Sequence, residues 1–141
     1  MDNLKELKLS ELAHKLNIYK LEQILDIAME YLPCIVEAHR ISIYLLDSEE
    51  KFLISKRNNS RRLQEHIHEK VAVDNENSLI PQVLVKKRPI LITNVAEYII
   101  QNNLPIKLSK RQRYTSGSCM LLPIVARLPD GEKILGVINF P

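Results

Sequence analysis

His66 and His68 stand two residues apart, and on an extended segment such a pair projects from one face and could share a metal ion. A zinc-type site takes three or four ligands, and only Glu69 or Asp74 lies nearby in sequence, so two solvent-facing histidines are the plainer reading. Cys119 is the second candidate, as a reactive thiol. Reactivity would need a cation or a helix start to favour the thiolate, and Cys119 falls in an apolar run that reads as a central strand. Glu49 and Glu50 are adjacent carboxylates, but in a turn, where acids are simply solvated. No Ser/His/Asp or Cys/His arrangement is legible, and the 3 glycines of the chain leave little room for a phosphate-cradling loop. The expectation is a protein that is not an enzyme, with no metal site and no cofactor that its residues identify.

Small-molecule recognition needs apolar walls and a few placed polar groups. Polar residues at strand ends and in the longest connection fit that description: Asn77, Ser78, Asn94, Tyr98, Tyr114, Ser116 and Ser118. Tyr114, Ser116 and Ser118 alternate, so one strand face would aim three hydroxyls together. Equally, they could be ordinary loop and strand-entry residues, with Leu79, Leu84, Leu121 and Leu122 filling the space.

The elements that would carry these residues follow from hydrophobic period. Leu4, Leu7, Leu12 and Leu16 predict an amphipathic helix over 3–16. Asn17 can cap a second helix with Leu21, Ile24, Leu25, Ala28, Leu32, Ile35 and Val36 as apolar positions, kinked or broken near Leu32 by Pro33. From Arg40 the period becomes two: Ile41, Ile43 and Leu45 alternate with Ser42 and Tyr44, and after the Asp47–Glu50 turn Phe52 and Ile54 continue it, which is a hairpin. A loop over 57–65 and a third strand over 67–74 follow. Asn77-Ser78 opens a short helix with Pro81 in its first turn, and 89–95 is a strand. One helical turn and a loop occupy 96–113. Ser116 to Pro141 forms a closing hairpin around Pro129-Asp130-Gly131, too apolar on both arms for a strand with one wet face.

Composition bounds the biology. At 141 residues the chain is one domain, 45% hydrophobic and 26% charged. Twenty basic residues less 17 acidic ones leave +3. The basic clusters at Lys56-Arg57 with Arg61-Arg62, at Lys86-Lys87-Arg88, and at Lys107, Lys110, Arg111 and Arg113 lack interleaved aromatics, so nucleic acid is not the expected partner. No apolar run approaches the roughly 18 residues of a membrane span. The N-terminus mixes acids with lysines and is no secretory signal. Two unclustered cysteines, Cys34 and Cys119, point to a reducing, cytoplasmic setting.

Four stretches, in order, resemble the GAF domain family: His39–Asp47 as its first strand, Ser78–Val95 as its midsection, Arg113–Pro123, and Ile134–Asn139 as its last strand. The similarity covers roughly residues 20–140, with the PAS domain the nearest rival. It implies an α+β fold, a central mostly antiparallel sheet of about six strands flanked by helices. The 40–47 strand would lie between the 52–57 and 133–140 strands, with the 117–127 strand next, and a pocket between the sheet and the segment from Asn75 to Arg113. Residues 1–17 would form a dimerisation or linker helix and 18–141 the GAF-like domain without the family's closing helix, as in the N-terminal piece of a longer signalling protein. A sensory or regulatory role follows: a homodimer through terminal helices, a small-molecule ligand, and an attached output domain that ligand-ordered residues 96–113 would influence. The Asn-Lys…Phe…Asp-Glu signature of cyclic-nucleotide-binding members has no counterpart. Other readings are a ligand-free dimerisation module and a redox sensor using Cys119, which the family normally packs as a small residue.

Overall fold

The computed structural model describes residues 20–36, 40–59, 69–106 and 117–141. The chain divides into two compact units, Met1–Glu37 and Ala38–Pro141. The helix expected over 3–16 lies outside the described residues. In the first unit a helix, α1, covers residues 20–35. It runs on past Pro33 rather than breaking at Leu32, with the Val36 amide donating to the Leu32 carbonyl at 3.0 Å. Proline removes only one amide donor, and this one falls in the last helical turn, where the following residues still close a bond around it.

The second unit is a six-stranded sheet whose strands pair antiparallel throughout: β1 (Ser42–Leu46), β2 (Phe52–Asn58), β3 (Lys70–Ala72), β4 (Ile90–Ile92), β5 (Cys119–Leu128) and β6 (Gly131–Phe140), in spatial order β3-β2-β1-β6-β5-β4. The closing hairpin is interior, as its composition requires: β6 lies between β1 and β5. Burial holds for its inner half only, because Val125, Leu128 and Leu135 near the turn are exposed. The turn itself is Pro129-Asp130, with Leu128 opposite Gly131 and Gly131 at φ 135°. Proline presets the first turn residue and only glycine takes that φ without strain.

Both faces of β1 are covered, which the alternation alone does not show. Ile41 and Ile43 are buried on one face, and Ser42 and Tyr44 on the other. In β2 the deeply buried positions are Leu53 and Ser55, while Phe52 and Ile54 are half-buried. The Asp47 carboxylate organises the intervening turn, accepting from the Lys51 amide at 2.9 Å and the Phe52 amide at 3.3 Å.

The midsection helix, α2 (Gln82–Lys86), starts later than expected, with Pro81 at the N-cap position. Leu79, Ile80 and Pro81 are spent in turns, their carbonyls accepting from Gln82, Val83 and Leu84. That detour sends both Leu79 and Ile80 into the core. A second helix, α3 (Val95–Gln101), spans more than the single turn expected; Asn94 caps it by accepting from the Glu97 amide at 3.0 Å. Tyr44, Leu53, Val71, Leu79, Ile80, Val83, Ile90, Ile92, Val95, Ile99, Cys119, Leu121 and Val137 form one buried cluster between one face of the sheet and the 79–99 segment.

Candidate functional site

The face of the sheet that carries this apolar cluster is not apolar throughout. Side chains alternate along a strand, so Ser42 shares the face of Tyr44, Ser55 that of Leu53, and Asn139 that of Val137. Register then aligns them: Ser42 pairs with Asn58 on one side and Asn139 on the other, Asn139 pairs with Leu121, and Tyr44 pairs with Ser55. A shift in register between Ile43 and Tyr44 keeps Asn58 and Ser55 on this same face. Ser42, Ser55, Asn58 and Asn139 are the buried polar side chains among the described residues; Asn58, Ser42 and Asn139 form a polar row across β2, β1 and β6, and Ser55 lies beside it, opposite Tyr44.

Asn139 is the more extreme of two anomalies in that row: Asn58 Oδ1 also lacks a hydrogen-bond partner, although Asn58 is engaged elsewhere. Asn139 is 1% exposed, and neither its Oδ1 nor its Nδ2 has a hydrogen-bond partner. A buried amide left unsatisfied costs about 1–3 kcal/mol, and native interiors rarely keep one without a reason. Its register neighbours on this face are Ser42 and Leu121, with Val137 one step along β6.

Cys119 lies on the same face, two residues before Leu121, and is 4% exposed. Burial pushes its thiol up from 9.0 to about 12. The thiolate needed for oxidation or disulfide exchange is therefore not populated at neutral pH. That argues against the redox reading. Cys34 is an exposed free thiol on α1.

The residues singled out from sequence are dispersed. Asn94 spends its side-chain oxygen on the α3 cap. The Tyr98 hydroxyl accepts from Lys86 Nζ at 2.9 Å. The same ammonium is 5.3 Å from the ring centre, which puts it off the oxygen end of the ring, so the hydrogen bond rather than a cation–π contact defines the pair. Asn94 and Tyr98 do line one depression of about 270 Å³, together with Leu91, Ile92, Thr93, Glu97 and Gln101. Asn77 is exposed, its amide donating to Asn75 Oδ1, and Ser78 Oγ accepts from the Ile80 amide at 3.4 Å. Ser118 is half-buried at the entry to β5 and is hydrogen-bonded or otherwise engaged. Tyr114 and Ser116 lie outside the described residues, as do His66 and His68. Among the described residues no cluster of three or more His, Cys, Asp or Glu side chains could hold a metal. A second groove of about 460 Å³ opens at the other end of β1, lined by Leu46, Glu50, Val73, Leu84, Lys87 and Lys133 among others.

Sequence reasoning passed over Ser42, Ser55, Asn58 and Asn139. The available signal was polarity inside strands otherwise occupied by Ile, Leu, Val and Phe. Asn139, between Ile138 and Phe140 on an interior strand, is the clearest instance.

Known proteins fit this geometry. The GAF domain family model matches residues 20–140. The structure is similar to the GAF domain of an Acinetobacter phosphoenolpyruvate-protein phosphotransferase, at 18% identity and TM-score 0.60, covering 99% of this chain and 77% of that one. It is similar to residues 122 to 287 of a methyl-accepting chemotaxis protein, at 19% identity and TM-score 0.63, covering 83% and 70%. A GAF domain/HD domain protein from Geobacter sulfurreducens is similar at 16% identity and TM-score 0.57, covering 83% and 71%. No curated protein matches the chain. Identities this low establish the fold alone, and among the described residues no helix is long and apolar enough to cross a membrane. With the family match spanning nearly the whole chain, and the β3-β2-β1-β6-β5-β4 sheet placing the closing hairpin beside β1, this protein belongs to the GAF domain family, a sensory and regulatory family found in signalling proteins.

Proposed function

We propose that this GAF domain senses a small molecule and passes the event to an output domain in a longer signalling protein. The observation that carries the reading is the polar group Ser42, Ser55, Asn58 and Asn139, buried on the sheet face where the family resemblance implies a pocket. An interior meant only for packing gains nothing from an unsatisfied amide at its centre. Similarity to a chemotaxis protein and to an HD-domain protein supports the idea of an attached output domain. Signalling then works by population shift: a ligand that binds one conformation tenfold more tightly moves the equilibrium by about 1.4 kcal/mol, and one without preference moves nothing. The domain acts by binding rather than catalysis. Its buried row holds serines and asparagines, and the neighbouring Cys119 stays protonated. Free cysteines support a reducing, cytoplasmic location.

The test is thermal unfolding of the purified chain against nucleotides, amino acids and haem. One class should raise the midpoint, since ligand at 100 times its Kd adds about 2.7 kcal/mol. Flat responses across the panel would count against a sensor.

A second reading rests on a separate observation. Helix α1 leaves Leu21, Ile24, Ile27, Tyr31 and Ile35 exposed, an apolar stripe at spacings of three and four. Such a stripe fits pairing with a second copy of the same helix, as in a dimeric signalling module. Sedimentation should show a concentration-dependent dimer that the Ile24→Asp/Tyr31→Asp double variant converts to monomer, with unchanged circular dichroism. A wild-type monomer at high concentration would remove dimerisation from the account.

A further inference from the structure

The sensory reading leaves open what kind of chemical group meets the buried row, and Asn139 narrows it. Its side chain offers one acceptor oxygen beside a two-proton donor, both buried and both without partners. The neighbours that share its face are Ser42, Tyr44, Leu121, Val137 and Cys119. None of these is ionised at neutral pH, with the Cys119 thiol kept neutral by burial. A carboxylate or phosphate set down here would lose its hydration, and none of those neighbours offers a countercharge. A neutral amide edge would instead give one donor and one acceptor to complementary atoms, satisfying both sides at once. The apolar surroundings favour an apolar body behind that edge.

Resting on the sensory reading, we infer that Asn139 is a ligand-recognition residue, and that the group it reads is an uncharged donor–acceptor edge of the carboxamide or lactam type. The contact is reciprocal: ligand N–H donates to Asn139 Oδ1, and Asn139 Nδ2–H donates to ligand carbonyl oxygen. Acids of the same shape are excluded because they bring a charge and no N–H.

Benzamide and benzoate are the probes, matched in shape and differing at this edge. Wild-type protein should show a saturable rise in unfolding temperature with benzamide at millimolar concentration and none with benzoate. Asn139→Leu, of similar volume, should have two opposite effects. Without ligand it should unfold about 2–6 °C higher, because the unsatisfied amide is gone. With benzamide the response should fall at least about tenfold in affinity, the value of one lost hydrogen-bonded pair. Should Asn139→Leu fail to fold, the wild-type side-chain amide supplies the measurement: its nitrogen and proton resonances, assigned by their absence in Asn139→Ser, should move on benzamide titration and stay fixed with benzoate.

Equal binding of benzoate, no response to benzamide, or a benzamide response that survives Asn139→Leu overturns the inference. A ligand from the broader panel that binds Asn139→Leu as well as wild type overturns it too, yet preserves the sensor. No binding by any panel member removes the sensor itself.

Discussion

Replacing Gly136 with valine should remove a large fraction of the domain's stability. Gly136 sits in β6 opposite Leu45 of β1, in the middle of the sheet. A Cβ atom there would run into the Tyr44 carbonyl oxygen, and would lie 3.0 Å from both Cα and Cδ2 of Leu45. The first obstacle is backbone, so no rotamer change relieves it, and β1 and β6 must separate. Overpacking a core typically costs about 1–3 kcal/mol, and a clash against a central strand's backbone sits at the upper end or beyond it. The β1–β6 ladder contains the Ser42–Asn139 pair, so the polar row would be lost with it. Against a whole-domain stability of about 5–15 kcal/mol this is a large fraction. Urea denaturation would check it: Gly136→Ala should already lower the midpoint, and Gly136→Val should fall below it. A Gly136→Val protein with wild-type stability would mean that β1 and β6 do not approach as described.

The second large effect is alkaline. In the folded chain the Cys119 thiol keeps its proton up to about 12, whereas the ordinary value is 9.0. Above pH 9 the unfolded chain releases that proton while the folded chain still holds it. The unfolded state is then favoured by deprotonation, so this group leaves stability unchanged below pH 9 and lowers it as pH rises towards 12. The slope approaches about 1.4 kcal/mol per pH unit at most, or roughly 4 kcal/mol across the window. Tyrosines and lysines titrate in the same range, which is why the comparison must be with Cys119→Ala. Plotted from pH 8 to 11, wild-type stability should drop more steeply than that of the variant. The same burial predicts that a thiol reagent labels Cys34 at once and Cys119 only on unfolding. Parallel pH curves, or rapid labelling of both thiols, would contradict a buried Cys119.

Much of this fold was legible because its signals are local. The closing hairpin announced itself through two apolar arms and Pro129-Asp130-Gly131, and its interior place followed from having no wet face. The Asp47 turn and the strand at Ile90 were equally readable, since each depends on neighbours within a few residues, but the strand stops at Ile92 and Asn94 caps the next helix instead of extending it. What escaped depends on pairing across strands. Tyr44 looked like the outer face of β1 and proved to be core, because β1 has no outer face. Pro81 looked like a first-turn residue, but the preceding turn delays α2 and buries Ile80 instead. The candidate site suffered most. Asn94 and Tyr98 attract notice as polar residues at element ends, and there they serve the helix cap and Lys86. Ser42, Ser55 and Asn58 meet Asn139 only through register, and no window along the chain brings them together.

The two ends of the sheet are its shortest strands, Lys70–Ala72 and Ile90–Ile92. Three residues expose too few open amides and carbonyls to recruit another chain into the ladder. Among the described residues, edges this short disfavour joining copies by fusing their sheets into one continuous ribbon. Such edges favour contact through side chains, which would keep the hydrogen-bonded scaffold out of assembly.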